Sequence, residues 1–490
     1  MARTRPNWLD SRLGLLLILV FAVSIHLPIY GNALNPDATT YVDLTHSLVT
    51  SGSIERQTLD YPRHPPLMSI LYTPYALLLG FNESSVHTLE LSFFVADLVI
   101  LYLIALRRLG PWFALVPLLF LTLDPVLYLN MSEGRSLSVL ILFALVTLWG
   151  IWRGLENSSW LWVAGVGASL GFLTADTLGY LFVAAGLVGV LWRFYYVRWR
   201  VFADRGYVLA SAIFLGTVAS WTAYNLAAIG SPFTDPRVVG FLNRFLFDTP
   251  AFVAIILTSG LAVYFALYVS QTALPFLLSR DGRRTARELP SRAIHDEKIG
   301  ALVLFIFVTI LISAFMSATF VLYDPVRSLG TSDTYLRYAG VVTPMTYLAV
   351  GMYLRSAKER IPRKRWMALL IIGLLILAPQ FVGRVSQGHA NSEVFTEISL
   401  TLRARGFAVI YSDVAPFLRY NVPAATFIEV DVGTSQQFVN LTTKDVPAGA
   451  PLLTLLLVPR TYNERIGGFY LVEHFDPATN SPFLNLLYGA

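Results

Sequence analysis

The sequence predicts a polytopic α-helical membrane protein followed by a small α/β domain, on three observations. Hydrophobic residues make up 55% of the chain and charged ones 14%. The mean hydropathy of +0.59 is not that of an ordinary water-soluble domain. The apolar residues gather into runs of ~20, the length that crosses a hydrocarbon layer of ~30 Å. Past residue 383 those runs shorten to strand length and alternate with turn formers and helical stretches. The domains are therefore expected at 1–383, in the membrane, and 384–490, outside it.

Each span follows from its apolar run. Residues 13–30 read as an uncleaved first helix, because no small-residue cleavage pattern follows them. A polar insert comes next. Residues 67–81 are apolar but short and broken by Pro74, which suits the membrane interface. Further spans are expected near 86–106, 111–129, 137–153, 159–175, 178–194, 207–229, 251–278, 299–322, 336–354 and 366–383, about eleven crossings in all by the hydropathy criterion.

Lysine and arginine orient them. Alternating sides from a cytoplasmic N-terminus puts 22 of the 36 basic residues inside, with seven in the outer loops and seven in the tail. The loops at 193–205, 280–298 and 355–365 carry most of that charge. The insert after the first span and everything after Gly383 are then extracytoplasmic. The basic pI of about 9.2 reflects these topology signals, so no nucleic-acid partner is expected. Cysteine is absent, which removes disulfides, thiolate metal sites and cysteine nucleophiles.

In the tail, strands are expected at 407–413, 425–432, 452–458 and 469–475, with helices near 392–405 and 433–440. About a hundred residues suffice to enclose a core of their own.

The chemistry concentrates in the insert, NPDATTYVDLTHSLVTSGSIERQTLDYPRHPPL. It holds Asp37, Asp43, Asp60, Arg63 and His64 ahead of Pro65 and Pro66. An acid early in the first outer loop followed by HPPL resembles the GT-C glycosyltransferases that use lipid-linked sugars. Among these, the pattern resembles the protein O-mannosyltransferases and the lipid A aminoarabinose transferases. The resemblance implies a GT-C-like fold and a polyprenyl- or dolichyl-phosphate-sugar donor. It also implies a protein, lipid or glycan acceptor and an inverting transfer at the outer face of a cell membrane. Such an enzyme needs a carboxylate base at the membrane surface and cations near the leaving phosphate.

Asp37, a few residues past the first span, suits that base. It equally suits an N-cap for a helix starting around Ala38. Asp43, about one and a half turns on, should face elsewhere and be solvated or structural. Arg63 offers a forked donor to phosphate or snorkels to headgroups, and His64 can hydrogen-bond or titrate near neutrality.

In LDPVLYLNMSEGRSLSV, the resemblance implies that Glu133 orients the acceptor, assists the base or ligates a divalent cation. With Arg135 it could also be a plain charge pair. Asp124 is a costly carboxylate near the end of a span. AYNLAAIGSPF resembles a span-to-loop ending of the family through Asn225 and the Gly230–Pro232 turn, with Tyr224 where an arginine often stands. SDTYLRYAGVVTP resembles the opening of a late span, making Arg337 the expected donor-phosphate cation. Beside it, Tyr338 makes interfacial anchoring the competing reading.

Departures from the family's pattern are Asp176, where a basic residue is common, and His87 with Glu90 at the start of the second span. No P-loop, G-x-G-x-x-G, H-E-x-x-H or D-x-D stands in a fitting context, which disfavours a nucleotide-sugar donor. No cofactor beyond the divalent metal is expected, and membrane lipids are partners by surrounding the spans. The alternative class is a transporter or flippase of lipid-linked glycans. It would carry mid-span charge, for which Asp97 is the lone candidate.

Overall fold

A computed structural model of the chain describes residues 8–34, 36–53, 65–175, 182, 186, 193–195, 198–230, 270–323, 340–406, 408–412, 422, 424–429, 452–456, 465–466, 469–475 and 484–489.

Helix α1 (Trp8–His26) runs into a 3-10 turn, Leu27–Gly31, with Pro28 at its second position. Together, Ser11–Gly31 form a span whose Leu13, Leu16, Leu17 and Val20 face outward, as expected where lipid replaces water. Helix α2 (Pro36–Ser51) follows the 3-10 turn. Helix α3 (Leu67–Leu79) contains Pro74 and is too short to cross a bilayer.

The spans after it form the core. Helix α4 (Glu83–Leu109) starts with a capping box between Asn82 and Ser85 and ends in Arg107 and Arg108, so both ends have their orphan backbone groups or dipole compensated. The expected single span at 111–129 is instead two short helices, α5 (Leu115–Thr122) and α6 (Pro125–Ser132), bent by 51°. The reason is local. Pro125 opens α6, and Asp124 Oδ1 accepts from Leu127 N at 2.6 Å, capping it. Helix α7 (Leu137–Glu156) packs on α8 (Leu161–Thr174), which in turn packs on α9 (Arg205–Ile229). Contact is close enough that a Cβ on Gly150 would lie 2.4 Å from Ala164 N, the small-residue packing typical of membrane helices.

The chain continues through α10 (Ser270–Leu278), α11 (Arg280–His295), α12 (Glu297–Tyr323), α13 (Thr343–Lys358) and α14 (Arg363–Arg405). Phe94, Phe120, Tyr128, Leu140, Tyr347 and Phe381 are buried in one common core. Among the described residues five helices are long and apolar enough to cross a membrane, and the bent α5–α6 pair makes a sixth. The spans expected at 178–194 and 251–278 fall largely outside the described residues.

The expected boundary at 383/384 falls inside α14, which continues unbroken for 43 residues to Arg405 and absorbs the helix expected at 392–405. Beyond it, the described residues hold six strands in one sheet: β1 (Val409–Ser412), β2 (Thr426–Glu429), β3 (Leu452–Leu456), β4 (Arg465–Ile466), β5 (Phe469–Phe475) and β6 (Leu484–Gly489), in the order β2-β1-β3-β6-β5-β4. Strands β2, β1 and β3 run parallel, and β3, β6, β5 and β4 antiparallel.

Candidate functional site

The polar residues of interest meet where α1 gives way to α2. The chain leaves the 3-10 turn through Asn32, whose carbonyl accepts from His87 Nε2–H at 2.9 Å, and enters α2 at Pro36. Asp37 is therefore one residue inside the helix rather than at the cap position foreseen for a start at Ala38. Asp43, farther along α2, is buried at 7% exposure, so it belongs to the packing and not to solvent.

The loop after α6 leans on this turn. Glu133 and Arg135 form an ion pair, with side chains only 12% and 13% exposed. Between them Gly134 has φ +71°, and a Cβ there would stand 3.0 Å from Leu34 Cδ2, 3.0 Å from Val86 Cγ1 and 3.1 Å from Ala38 Cβ. Leu34 and Ala38 bracket Asp37 in sequence, so Gly134 packs this loop onto the start of α2. Ser136, also left-handed at φ 57°, ends the loop in a conformation that costs a non-glycine residue about 1–2 kcal/mol.

From the other side comes α14. A Cβ on Gly388 would lie 2.9 Å from Ser132 Oγ and 3.1 Å from Asn32 Nδ2. One turn on, Ser392 Oγ accepts from Ala33 N at 2.7 Å. Beneath this junction a buried polar seam runs down α4. His87, Glu90 and Asp97 are all at 0% exposure. Glu90 accepts from the Ser138 hydroxyl, and neither oxygen of Asp97 has a hydrogen-bond partner among the described residues. Farther in, His26 donates from Nδ1 to the Ala22 carbonyl at 2.8 Å inside a ring box of Phe94, Tyr128 and Phe381.

Of the residues expected to act, the backbone of Asp37 and the Glu133–Arg135 loop, through Gly134, share this junction. Asn225 is fully buried near the end of α9, a helix whose main partner is α8. Arg63, His64, Arg337, Tyr338 and Asp176 lie outside the described residues. Among the described residues no three His, Asp or Glu side chains gather as a metal site. Sequence reasoning missed Asn32, Ser132, Gly134, Gly388 and Ser392, none of which carries a motif. The one available signal was Gly134 sitting between two opposite charges.

Residues 63–224, a third of the chain, match the family described as dolichyl-phosphate-mannose-protein mannosyltransferase. The crystal structure of ArnT from Cupriavidus metallidurans bound to undecaprenyl phosphate is similar over 96% of this chain and 97% of that one, with a TM-score of 0.58 at 13% identity. The fold is that of the GT-C membrane glycosyltransferases. ArnT in the apo state has a TM-score of 0.49 at 14% identity, over 96% of this chain and 97% of that one. The Archaeoglobus fulgidus oligosaccharyltransferase in complex with Zn and sulfate reaches 0.48 at 11% identity, over 89% of this chain and 67% of that one. No curated protein sequence matches the chain. The fold is that of a multi-pass membrane protein, and its α1–α2 junction is the part that chemistry must explain.

Proposed function

We propose that this chain transfers a sugar from a polyprenyl or dolichyl phosphate to an acceptor hydroxyl at the outer face of the membrane, with inversion at the anomeric carbon. One observation carries the reading. Gly134 packs the Glu133–Arg135 loop onto the turn that opens α2, which supports a site shared by two carboxylate-bearing segments at the end of the first span. Asp37 is the base in this reading. As the acceptor oxygen bonds the anomeric carbon, its proton passes to the Asp37 carboxylate. The bond from that carbon to the phosphate oxygen breaks, its electron pair leaving with the lipid phosphate.

Glu133, oriented by Arg135, holds the acceptor or a divalent cation beside it. Arg63 and His64 from the insert and Arg337 with Tyr338 from the late span neutralise the leaving phosphate, and Asn225 contributes a hydrogen bond. The lipid phosphate is supported by the undecaprenyl phosphate bound to ArnT and by the mannosyltransferase match, which begins at Arg63. Mannose or another hexose or pentose fits the same chemistry.

The test is Asp37→Asn. Loss of general-base assistance should lower turnover of a polyprenyl-phosphate sugar by about 10²–10⁴-fold while donor binding persists. In the first turn of α2 the alternative role of Asp37 is dipole compensation, worth about 0.3–1 kcal/mol, and asparagine would then leave the rate nearly untouched. A wild-type rate in Asp37→Asn removes the mechanism. Arg337→Ala and Arg63→Ala should each raise the donor concentration needed, because a charge-assisted hydrogen bond is worth about 1.5–3 kcal/mol.

A further inference from the structure

Helix α4 begins beside the α1–α2 junction and carries Arg107 and Arg108 in its last turn, about 40 Å away at 1.5 Å per residue. At that far end lies α11, packed against α10, α12 and α13. Ion pairs fix it at the level where the spans end. Glu288, within α11, accepts from Arg360 Nη2 through both oxygens, at 2.9 and 2.8 Å, just before the α14 span opens at Arg363. Asp296, one residue past α11, meets Arg108 at 3.3 Å.

The two faces of this helix differ. Gly282 and Thr285 are buried, whereas Arg280, Arg283, Arg284 and Arg287 are exposed. At 3.6 residues per turn the four arginines fall within an arc of about 100°. Each i,i+3 and i,i+4 pair among them is like-charged, which disfavours the helix unless anions stand against it. The neighbouring carboxylates are engaged elsewhere. Glu288 is held by Arg360, Asp296 by Arg108 and Glu297 by Arg193, and Asp281 stands in the first turn, where it offsets the helix dipole. Among the described residues Arg280, Arg283 and Arg287 meet no carboxylate, and Arg284 reaches Glu288 only at 4.0 Å.

Apolar side chains at the same end identify what supplies the anions. Leu278, two residues ahead of Arg280, is 69% exposed. The 3-10 turn Arg198–Ala203 leads into α9, and Arg193 just before it joins the start of α12 through Glu297. This turn exposes Trp199 at 75% and Phe202 at 57%, their rings 5.7 Å apart, beside the exposed Arg198 and Arg200. Aromatic rings and leucine next to arginine suit the boundary between headgroups and acyl chains. A polyanion in solution would leave Leu278 and Phe202 in water.

We propose that this end of the molecule is a docking surface for anionic phospholipid of its own leaflet. The α11 arginines hold the lipid phosphates, and Trp199, Phe202 and Leu278 enter the headgroup boundary. The inference is independent of the proposed transfer reaction, whose residues lie at the other end of α4.

The full chain in a neutral detergent would be titrated by calorimetry with dioctanoyl phosphatidylglycerol, dioctanoyl phosphatidylcholine, glycerol 3-phosphate and an RNA oligonucleotide. A basic residue at an anionic surface contributes about fivefold, so Arg283→Gln with Arg287→Gln should weaken phosphatidylglycerol binding about 25-fold at low salt. Phosphatidylcholine binding should not change. Arg283→Lys with Arg287→Lys keeps the charge and should restore most of the affinity, which separates lost charge from lost folding. Trp199→Ala should weaken both lipids. Unchanged phosphatidylglycerol binding in the glutamine variant overturns the proposal. So do equal affinities for the two lipids, glycerol 3-phosphate binding as tightly as the lipid, tighter binding of RNA, or lipid binding untouched by Trp199→Ala. The proposed donor site contains neither Arg283 nor Arg287, so any phosphatidylglycerol held there is the same in wild type and variant. A wild-type rate in Asp37→Asn would remove the catalytic reading and leave this one standing.

Discussion

Asp124 shows how a carboxylate is made tolerable inside an apolar bundle. Its Oδ1 caps α6 through Leu127 N, and its Oδ2 accepts from the Tyr347 hydroxyl at 2.6 Å. Both oxygens are thereby occupied, at 1% exposure, which is what a buried acceptor requires. The same bonds join the bend of the α5–α6 pair to α13. Asp124→Ala should therefore cost twice: about 0.5–2 kcal/mol for the lost cap and about 1–3 kcal/mol for the orphaned phenol. Asp124→Asn keeps an acceptor for either bond and should cost much less. Thermal unfolding of the detergent-solubilised variants measures this, with Tyr347→Phe completing a double-mutant cycle. Additive effects of Asp124→Ala and Tyr347→Phe would show that the pair is not coupled. From sequence, Asp124 was visible only as an anomaly near a span end. Its partner is 223 positions away, and no local pattern points to it.

At the scale of elements, hydropathy located α1, α4, α7 and α9 because a lipid-facing helix must be apolar along its whole length. It failed at α5–α6, where averaging across Leu123 and Asp124 conceals a 51° bend. It also ended α14 too early, since SQGHANSEVFTEISLTLRAR loses its apolar character but keeps helical period through Ile398 and Leu402. Strands β1, β2, β3 and β5 were legible from β-branched and aromatic runs. The two-residue β4 was too short to read, and β6, LNLLYG, was not read as a strand. What no pattern revealed is how α2 docks. Gly134 is at once left-handed and pressed on three side chains, so Gly134→Ala pays a backbone cost of about 1–2 kcal/mol and pushes the loop off α2. The expected outcome is a protein of lowered melting temperature whose transfer activity falls more than its stability does. If Gly134→Ala turns over at the wild-type rate, the contact between the loop and α2 does not position the site.

Over the whole molecule, the ion pairs draw the basic loops to one end. Arg108 meets Asp296 at 3.3 Å, Lys298 and Arg153 meet Glu156, Arg193 meets Glu297, and Arg360 meets Glu288 at 2.8 Å. The Glu288 carboxylate holds the Arg360 guanidinium's pKa above its usual value. The loops at 107–108, 153, 193–205, 280–298 and 355–365 are those that alternation from the N-terminus assigns to one side. By the positive-inside rule we propose that this side is cytoplasmic and the α1–α2 junction extracytoplasmic. With no cysteine in the chain, single cysteines report each side. Gly282 is the wrong position for one, since a Cβ there would lie 1.9 Å from the Phe276 carbonyl oxygen. Arg284, with its side chain 78% exposed, is suitable, and Thr50 at the far end of α2 is exposed as well. In intact cells an impermeant maleimide should label Thr50→Cys and leave Arg284→Cys unmodified until the membrane is opened. Labelling of Arg284→Cys before permeabilisation would turn the molecule over and move the proposed site to the cytoplasmic face. A lipid-linked sugar displayed outside would then be out of its reach.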